Sequence, residues 1–166
     1  MGSGAMFRDY ERVAAVMTAT GSRDDRMQRV VDALWDELAD KRVSWLGFYL
    51  KSSDAREMVL AARRDKPACS PIGLHGACGR AFLSGRALVV MDVAHLGAGY
   101  VACDPRDRSE VVLPMLEADG SCWGVFDADS HDTGAFDQTD VVGLHGVMLR
   151  AGLTVARTAT PATEVV

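Results

Sequence analysis

Several things are scarce in this chain, and each scarcity excludes a class of function. No apolar run approaches the roughly 20 residues that a membrane-spanning helix needs. Lys and Arg number 18 against 23 Asp and Glu, for a net charge of −5, and the basic residues are scattered. Pairs such as Arg63-Arg64 therefore read as solvated surface, and no nucleic-acid groove is expected. The first residues, Met1 to Ala5, lack the basic start and apolar middle of a signal peptide; they read as a cloning remnant, with Met6 as the native start. The expected location is cytoplasmic, where thiols stay reduced. The four cysteines are few and widely spaced: Cys69, Cys78 and Cys103 are separated by 8 and 24 residues. Structural zinc sites use close pairs, so no metal is expected, even with His75 nearby. There is no internal repeat and no low-complexity block.

What is present suits one domain of 166 residues, 48% hydrophobic and 25% charged, long enough to bury a core without staples. Apolar periodicity predicts a helix over Phe7–Thr18 and a second carrying Met27, Val30, Val31, Leu34, Trp35 and Leu38, with Ser22 and Asp25 as its start signal. Val43–Leu50 is aromatic and β-branched, hence a strand. Its alternation puts Trp45, Gly47 and Tyr49 on one face and Leu46, Phe48 and Leu50 on the other, so both faces are covered. Met58–Ala62 returns beside it. A loop rich in Pro and Gly follows from Asp65 to Gly79, then a short helix over Ala77–Leu83 and a short strand at Leu88–Val90. Ser109–Leu116 and Cys122–Asp129 form a hairpin, with Trp123, Val125, Asp127 and Asp129 assigned to one face. Asp137 caps a closing helix running to about Arg157. The order implies a mostly antiparallel sheet with helices on one face, covered on the other by the long loops at 63–76 and 91–108. Loops of that length are usually functional.

Two groups of residues carry chemistry. Cys103 sits in the turn Ala102-Cys-Asp-Pro-Arg-Asp107 at the mouth of a strand, Cys69 lies in another polar loop, and Cys78 falls in the first turn of a helix, where the dipole lowers a thiol's pKa. Free cysteines are most often small buried hydrophobes, but these positions fit redox chemistry. Cys122 reads as a buried spectator, and His95, His131 and His145 as structural or surface. Glu110, Asp127 and Asp129 are the second group. Carboxylates at i and i+2 of an apolar strand repel each other, which leaves one charged acceptor and one proton donor. Asp129-Ser130 also fits a plain strand end. Trp45 and Tyr49 line the same pocket or fill the core.

Taken in order, Trp45-Leu-Gly-Phe-Tyr-Leu50, Lys66-Pro-Ala-Cys69, Gly76-Ala-Cys-Gly79, Ala102-Cys-Asp104, Ser109-Glu-Val-Val-Leu-Pro114 and Gly124-Val-Phe-Asp-Ala-Asp-Ser130 resemble the free methionine-R-sulfoxide reductases, which are single GAF-type domains. The resemblance runs from about Trp45 to the final helix. It implies an α/β (α+β) domain, here residues 6–157, with a six-stranded antiparallel sheet, helices on one side and a loop-covered pocket on the other; the tail over 158–166, small, polar and proline-bearing, is expected to be disordered. It implies an oxidoreductase acting on free L-methionine (R)-sulfoxide in oxidative-stress defence. Cys103 would attack, Cys69 would resolve, and Cys78 would be accessory. Glu110, Asp127 and Asp129 would bind substrate, with Trp45 and Tyr49 beside them. No bound cofactor is implied; thioredoxin or a similar dithiol would be the reductant. Homodimers are common for this fold, by analogy alone. The chain departs from the pattern at Ala61-Ala-Arg-Arg-Asp65, Pro71-Ile72, His75 and Tyr100, all in loops over the pocket. Two other readings share the residues: a GAF sensor that binds without turnover, and a peroxide-reactive thiol switch that needs Cys103 and Cys69 but not Glu110.

Overall fold

The computed structural model describes residues 6–54, 56–100 and 102–166; the remnant expected at residues 1–5 lies outside them. Helix α1 (Tyr10–Ala15) is shorter than its apolar stripe suggests, because Asp9 caps it by accepting from the Arg12 N–H. Helix α2 (Arg23–Leu38) begins in the expected box, Ser22 and Asp25 capping each other's backbone N–H. Strands β1 (Trp45–Lys51) and β2 (Glu57–Arg64) pair antiparallel, and a two-residue strand, β3 (Ile72–Gly73), adds to the edge of β2. Helix α3 (Ala77–Ser84), β4 (Ala87–Val90), a 3-10 turn at Val93–Leu96, and the hairpin of β5 (Ser109–Leu116) and β6 (Cys122–Ser130) follow. Helix α4 (Gln138–Arg150) starts in a second capping box, Asp137 with Asp140. Strand β7 (Thr163–Val165) closes the chain.

The sheet has seven strands in the order β3-β2-β1-β6-β5-β4-β7, and β7 lies parallel to β4. Six antiparallel strands and a disordered tail were expected. The tail is instead an edge strand: Ala87 N–H donates to the Ala162 carbonyl, and Val166 N–H to that of Val89. Helix α4 also stops before Arg157. Gly152 at φ +65 lets its N–H reach the Leu149 carbonyl while the Leu153 N–H reaches that of Met148, a glycine-closed helix end.

Each face of the sheet carries its own core. Leu46 and Phe48 of β1, Leu113 and Met115 of β5, and Phe126 and Ala128 of β6 pack against α1, α2 and α4. Tyr10 O–H donates to Asp140 at 2.6 Å and Arg8 pairs with it at 2.8 Å, fixing α1 to α4. Trp45, Tyr49, Val112 and Val125 face the other way and pack against Ala77, Cys78 and Ala81 of α3. The helices are thus divided: three on one face, and α3 on the pocket face with the loops. Trp123 also corrects the alternation. Met115 pairs with Gly124 but Leu116 with Cys122, so a bulge takes up Trp123. The indole packs with the helix-side core, donates to the Leu153 carbonyl and lies under the Arg23 guanidinium.

Candidate active site

The pocket floor is two rows of side chains across three strands. In one row Trp45 of β1 opposes Asp129 of β6, which opposes Glu110 of β5; in the next, Gly47 opposes Asp127, which opposes Val112. Glu110 and Asp129 are direct cross-strand partners, an arrangement that like charges disfavour. Oxygens of Glu110, Asp127 and Asp129 all lie within 4.8 Å of one another. Gly47 makes room in the second row: a Cβ there would stand 2.7 Å from the Trp45 ring.

Two of these carboxyls are starved of water, while Asp129 is half-buried. Glu110 is 3% and Asp127 6% exposed, and each keeps one oxygen without a hydrogen-bond partner. Burial pushes Glu110 up to about 7, opposed by the polar contacts of Asp127 and Tyr100. Burial first, then the charges of Asp129 and Glu110, raises Asp127 well above an ordinary carboxyl; burial and Glu110 do the same to Asp129. The floor therefore holds protons near neutrality. An all-oxygen triad also has the donor chemistry of a hard-cation site, and the same oxygens could face an ammonium group.

Two loops make the rim. Cys69 lies between β2 and β3, Cys103 just before β5; both are exposed and they form a disulfide with Cα atoms 5.6 Å apart. The aromatic residues of β1 hold the first loop in place: Trp45 Nε1–H donates to the Lys66 carbonyl at 2.9 Å and Tyr49 O–H to the Cys69 carbonyl at 2.8 Å. The Lys66 ammonium pairs with Asp104 at 2.6 Å and so clasps the first loop to the second. Arg106 adds a further contact to Asp104 at 2.9 Å. Between floor and rim lies a cavity of about 250 Å³, small beside the usual range of ligand pockets.

All eight residues singled out in the sequence line this cavity: Trp45, Tyr49, Cys69, Cys78, Cys103, Glu110, Asp127 and Asp129. One expected property is reversed. Cys78 does sit in the first turn of α3, but it is 7% exposed, and burial together with Asp127 and Glu110 pushes its thiol well above the ordinary value. Desolvation and negative neighbours outweigh the helix dipole. Cys122 lies off the cavity, half-buried, its thiol donating to the Gly124 carbonyl. Sequence reasoning missed Asp107 as a lining residue and left Tyr100 and His75 only as oddities of the loops. The signal for Asp107 was its place three residues before Glu110 in the turn that carries Cys103.

A GAF domain is what residues 20–156 match as a family. The free methionine-R-sulfoxide reductase of Escherichia coli K12 is 35% identical over 127 residues, covering 75% of this chain and 73% of the relative. The chain belongs to this reductase family of GAF domains. Solved members have the same fold. The fRMsr of Staphylococcus aureus in its reduced form superposes with a TM-score of 0.75 at 30% identity, over 88% of this chain and 92% of that one. The free methionine-R-sulfoxide reductase of Neisseria meningitidis, solved with its substrate, gives 0.73 at 30% identity over 87% of each chain. In this chain the GAF domain thus has a disulfide on its rim and protonatable carboxyls on its floor.

Proposed function

We propose that this GAF domain is a thiol-dependent oxidoreductase that reduces free L-methionine (R)-sulfoxide to methionine. One observation carries the reading: a Cys69–Cys103 disulfide stands at the mouth of a cavity floored by the carboxyls of Glu110, Asp127 and Asp129, the first two of them buried. The family membership supports the reaction type.

Cys103, as thiolate, attacks the sulfoxide sulfur. A protonated floor carboxyl, Glu110 by its pKa near 7, gives its proton to the sulfoxide oxygen. The attack forms a bond between the two sulfurs. As the substrate's S–O bond breaks, the protonated oxygen passes to the Cys103 sulfur. The transient S–S bond breaks with its electron pair on the methionine sulfur, leaving methionine and a Cys103 sulfenic acid. Cys69 then attacks the Cys103 sulfur; the S–S bond forms and the oxygen departs as water. A dithiol such as thioredoxin restores both thiols by exchange. The exposure of both cysteines suits that step, since a protein reductant needs access to the disulfide. Cys78, buried and held protonated, serves as the accessory thiol. Asp127 and Asp129 face the substrate ammonium, whose positive charge favours their ionised form, and the small cavity excludes a methionine sulfoxide inside a polypeptide.

A single-turnover assay of the reduced protein with each epimer of free methionine sulfoxide tests this. One methionine released from the R epimer alone, with two thiols lost, is expected. Cys103→Ser should release none. Methionine from both epimers alike, or from Cys103→Ser, would contradict the assignment.

A further inference from the structure

Buried carboxyls are ordinarily matched by an opposite charge or a metal ion. Those of the floor converge, yet among the described residues no cationic side chain pairs with any of them. Lys66, whose charge is felt at Asp129, is engaged by Asp104 at 2.6 Å, and Arg106 also contacts Asp104. Glu110 and Asp127 are 3% and 6% exposed, and each keeps one oxygen, Oε1 and Oδ1, with no donor in reach. The backbone imposes this crowding: Glu110 and Asp129 are direct cross-strand partners, and Asp127 stands two residues along β6. Acceptors held together in this way are a cradle for positive charge.

We propose that Glu110, Asp127 and Asp129 form a site for a hard divalent cation of the Ca²⁺ class, which competes with the substrate's ammonium group for the same oxygens. The competition rests on the reductase reading; the site itself does not. One oxygen from each residue lies within 4.8 Å of the other two. A single point therefore lies no more than about 2.8 Å from all three, close to the Ca–O distance of about 2.3–2.6 Å. A donor set of carboxylate oxygens alone selects hard ions over the softer metals that thiolates take. Water would complete the shell, and the cavity of about 250 Å³ has room for several molecules. Entry is open as well: Asp129 is half-buried and lines both the cavity and the groove outside it, beside Lys66 and Arg106. An ion between the carboxylates would also relieve the like-charge opposition of Glu110 and Asp129. Asp104, Asp107 and His131 form a second convergent group. There Lys66 and Arg106 already hold Asp104, so an added cation would meet two positive charges.

The test titrates Mn²⁺, a hard ion whose free EPR signal is lost on binding, into the oxidised protein, where Cys69 and Cys103 offer no thiolate. It is run at about pH 8.5, above the value near 7 to which Glu110 is raised. Wild type should bind one ion per chain with a Kd of about 10⁻⁴–10⁻³ M, the range of weak carboxylate sites, and Ca²⁺ should displace it. Asp127→Asn and Glu110→Gln should each weaken binding about tenfold or more; the second variant keeps the test valid if the first folds poorly. His131→Ala, in the outer group, should bind as wild type does. No binding at millimolar Mn²⁺ would overturn the site, as would unchanged binding in the folded floor variants or loss of binding in His131→Ala. Turnover is read separately. Ca²⁺ should raise the KM for free methionine sulfoxide without lowering kcat, and methionine sulfoxide should displace bound Mn²⁺. Bound Mn²⁺ that the substrate does not displace, in a protein that turns over, would overturn the competition. If wild type releases no methionine at all, the reductase reading fails instead, and the EPR titration still decides the cation site.

Discussion

Glu110 is a carboxyl whose burial works against the fold once it ionises. Its folded pKa is about 7, raised by burial above the usual value near 4.5. The folded chain therefore binds this proton more tightly than the unfolded chain does. The resulting stabilisation is complete below about pH 4.5 and is lost as pH rises through about 7. Glu110→Gln keeps the shape and the hydrogen-bonding capacity but cannot ionise or donate an acid proton. At about pH 8 its Tm should rise by a few degrees, at roughly 2–4 °C per kcal/mol for a chain of this size; at pH 5 the two proteins should melt together. Methionine release should meanwhile fall by about 10²-fold or more, the usual worth of a general acid. Thermal melts at both pH values and the single-turnover assay on one preparation check this. A variant less stable at pH 8 would contradict the assigned direction of the shift. Cys78 is the counterpart: a thiol in a helix first turn that stays protonated, because desolvation and carboxyl neighbours win.

At the scale of elements, β1 does two jobs, and both were legible in its alternation. Leu46 and Phe48 enter the helix-side core; Trp45 and Tyr49 turn to the pocket. What alternation could not say is that both pocket-side aromatics end on loop carbonyls, at Lys66 and Cys69. A donor's partner 20 residues away leaves no local trace. Tyr49→Phe removes one hydrogen bond to the Cys69 loop while keeping the ring, at a cost of about 1 kcal/mol. It should leave the first methionine release near the wild-type rate and slow formation of the Cys69–Cys103 disulfide several-fold. Quenched-flow thiol counting beside methionine release separates the two steps; equal slowing of both would place Tyr49 on the substrate instead. Strand pairing also decided what local pattern misjudged. Trp123 was assigned by strict period two, and a bulge that only the register with β5 reveals put it on the other face. The opposition of Glu110 and Asp129 was hidden for the same reason: the sequence displays i and i+2 on one strand, not the neighbour across the ladder.

For the whole molecule, residues 158–166 read as a tail because their composition is small, polar and proline-bearing, with no apolar stripe. The fold uses them for their backbone. Strand β4 would otherwise be the sheet edge, its outer N–H and C=O groups open to pairing with another chain. Strand β7 covers it: Met91 N–H donates to the Val166 carbonyl at 2.7 Å, and Arg80 pairs with Glu164 from α3. The edge is remote from the floor carboxyls, which sit on β5 and β6, but β4 lends Leu88 and Val90 to the pocket-side core. Deleting residues 159–166 should therefore act on assembly and stability before chemistry. The truncated chain should melt several degrees lower and gain a concentration-dependent tendency to associate, seen by light scattering, as β4 offers its bare edge. Charged substitution on that strand, Val89→Lys in the truncated chain, would test the edge directly only at the cost of the helix-side core, where Val89 is 1% exposed. The cleaner comparison is Glu164→Ala in the intact chain, which removes the Arg80 pair and keeps the ladder. It should leave association unchanged if backbone pairing is what protects β4. Association appearing in Glu164→Ala as strongly as in the truncation would shift that protection from the ladder to the ion pair.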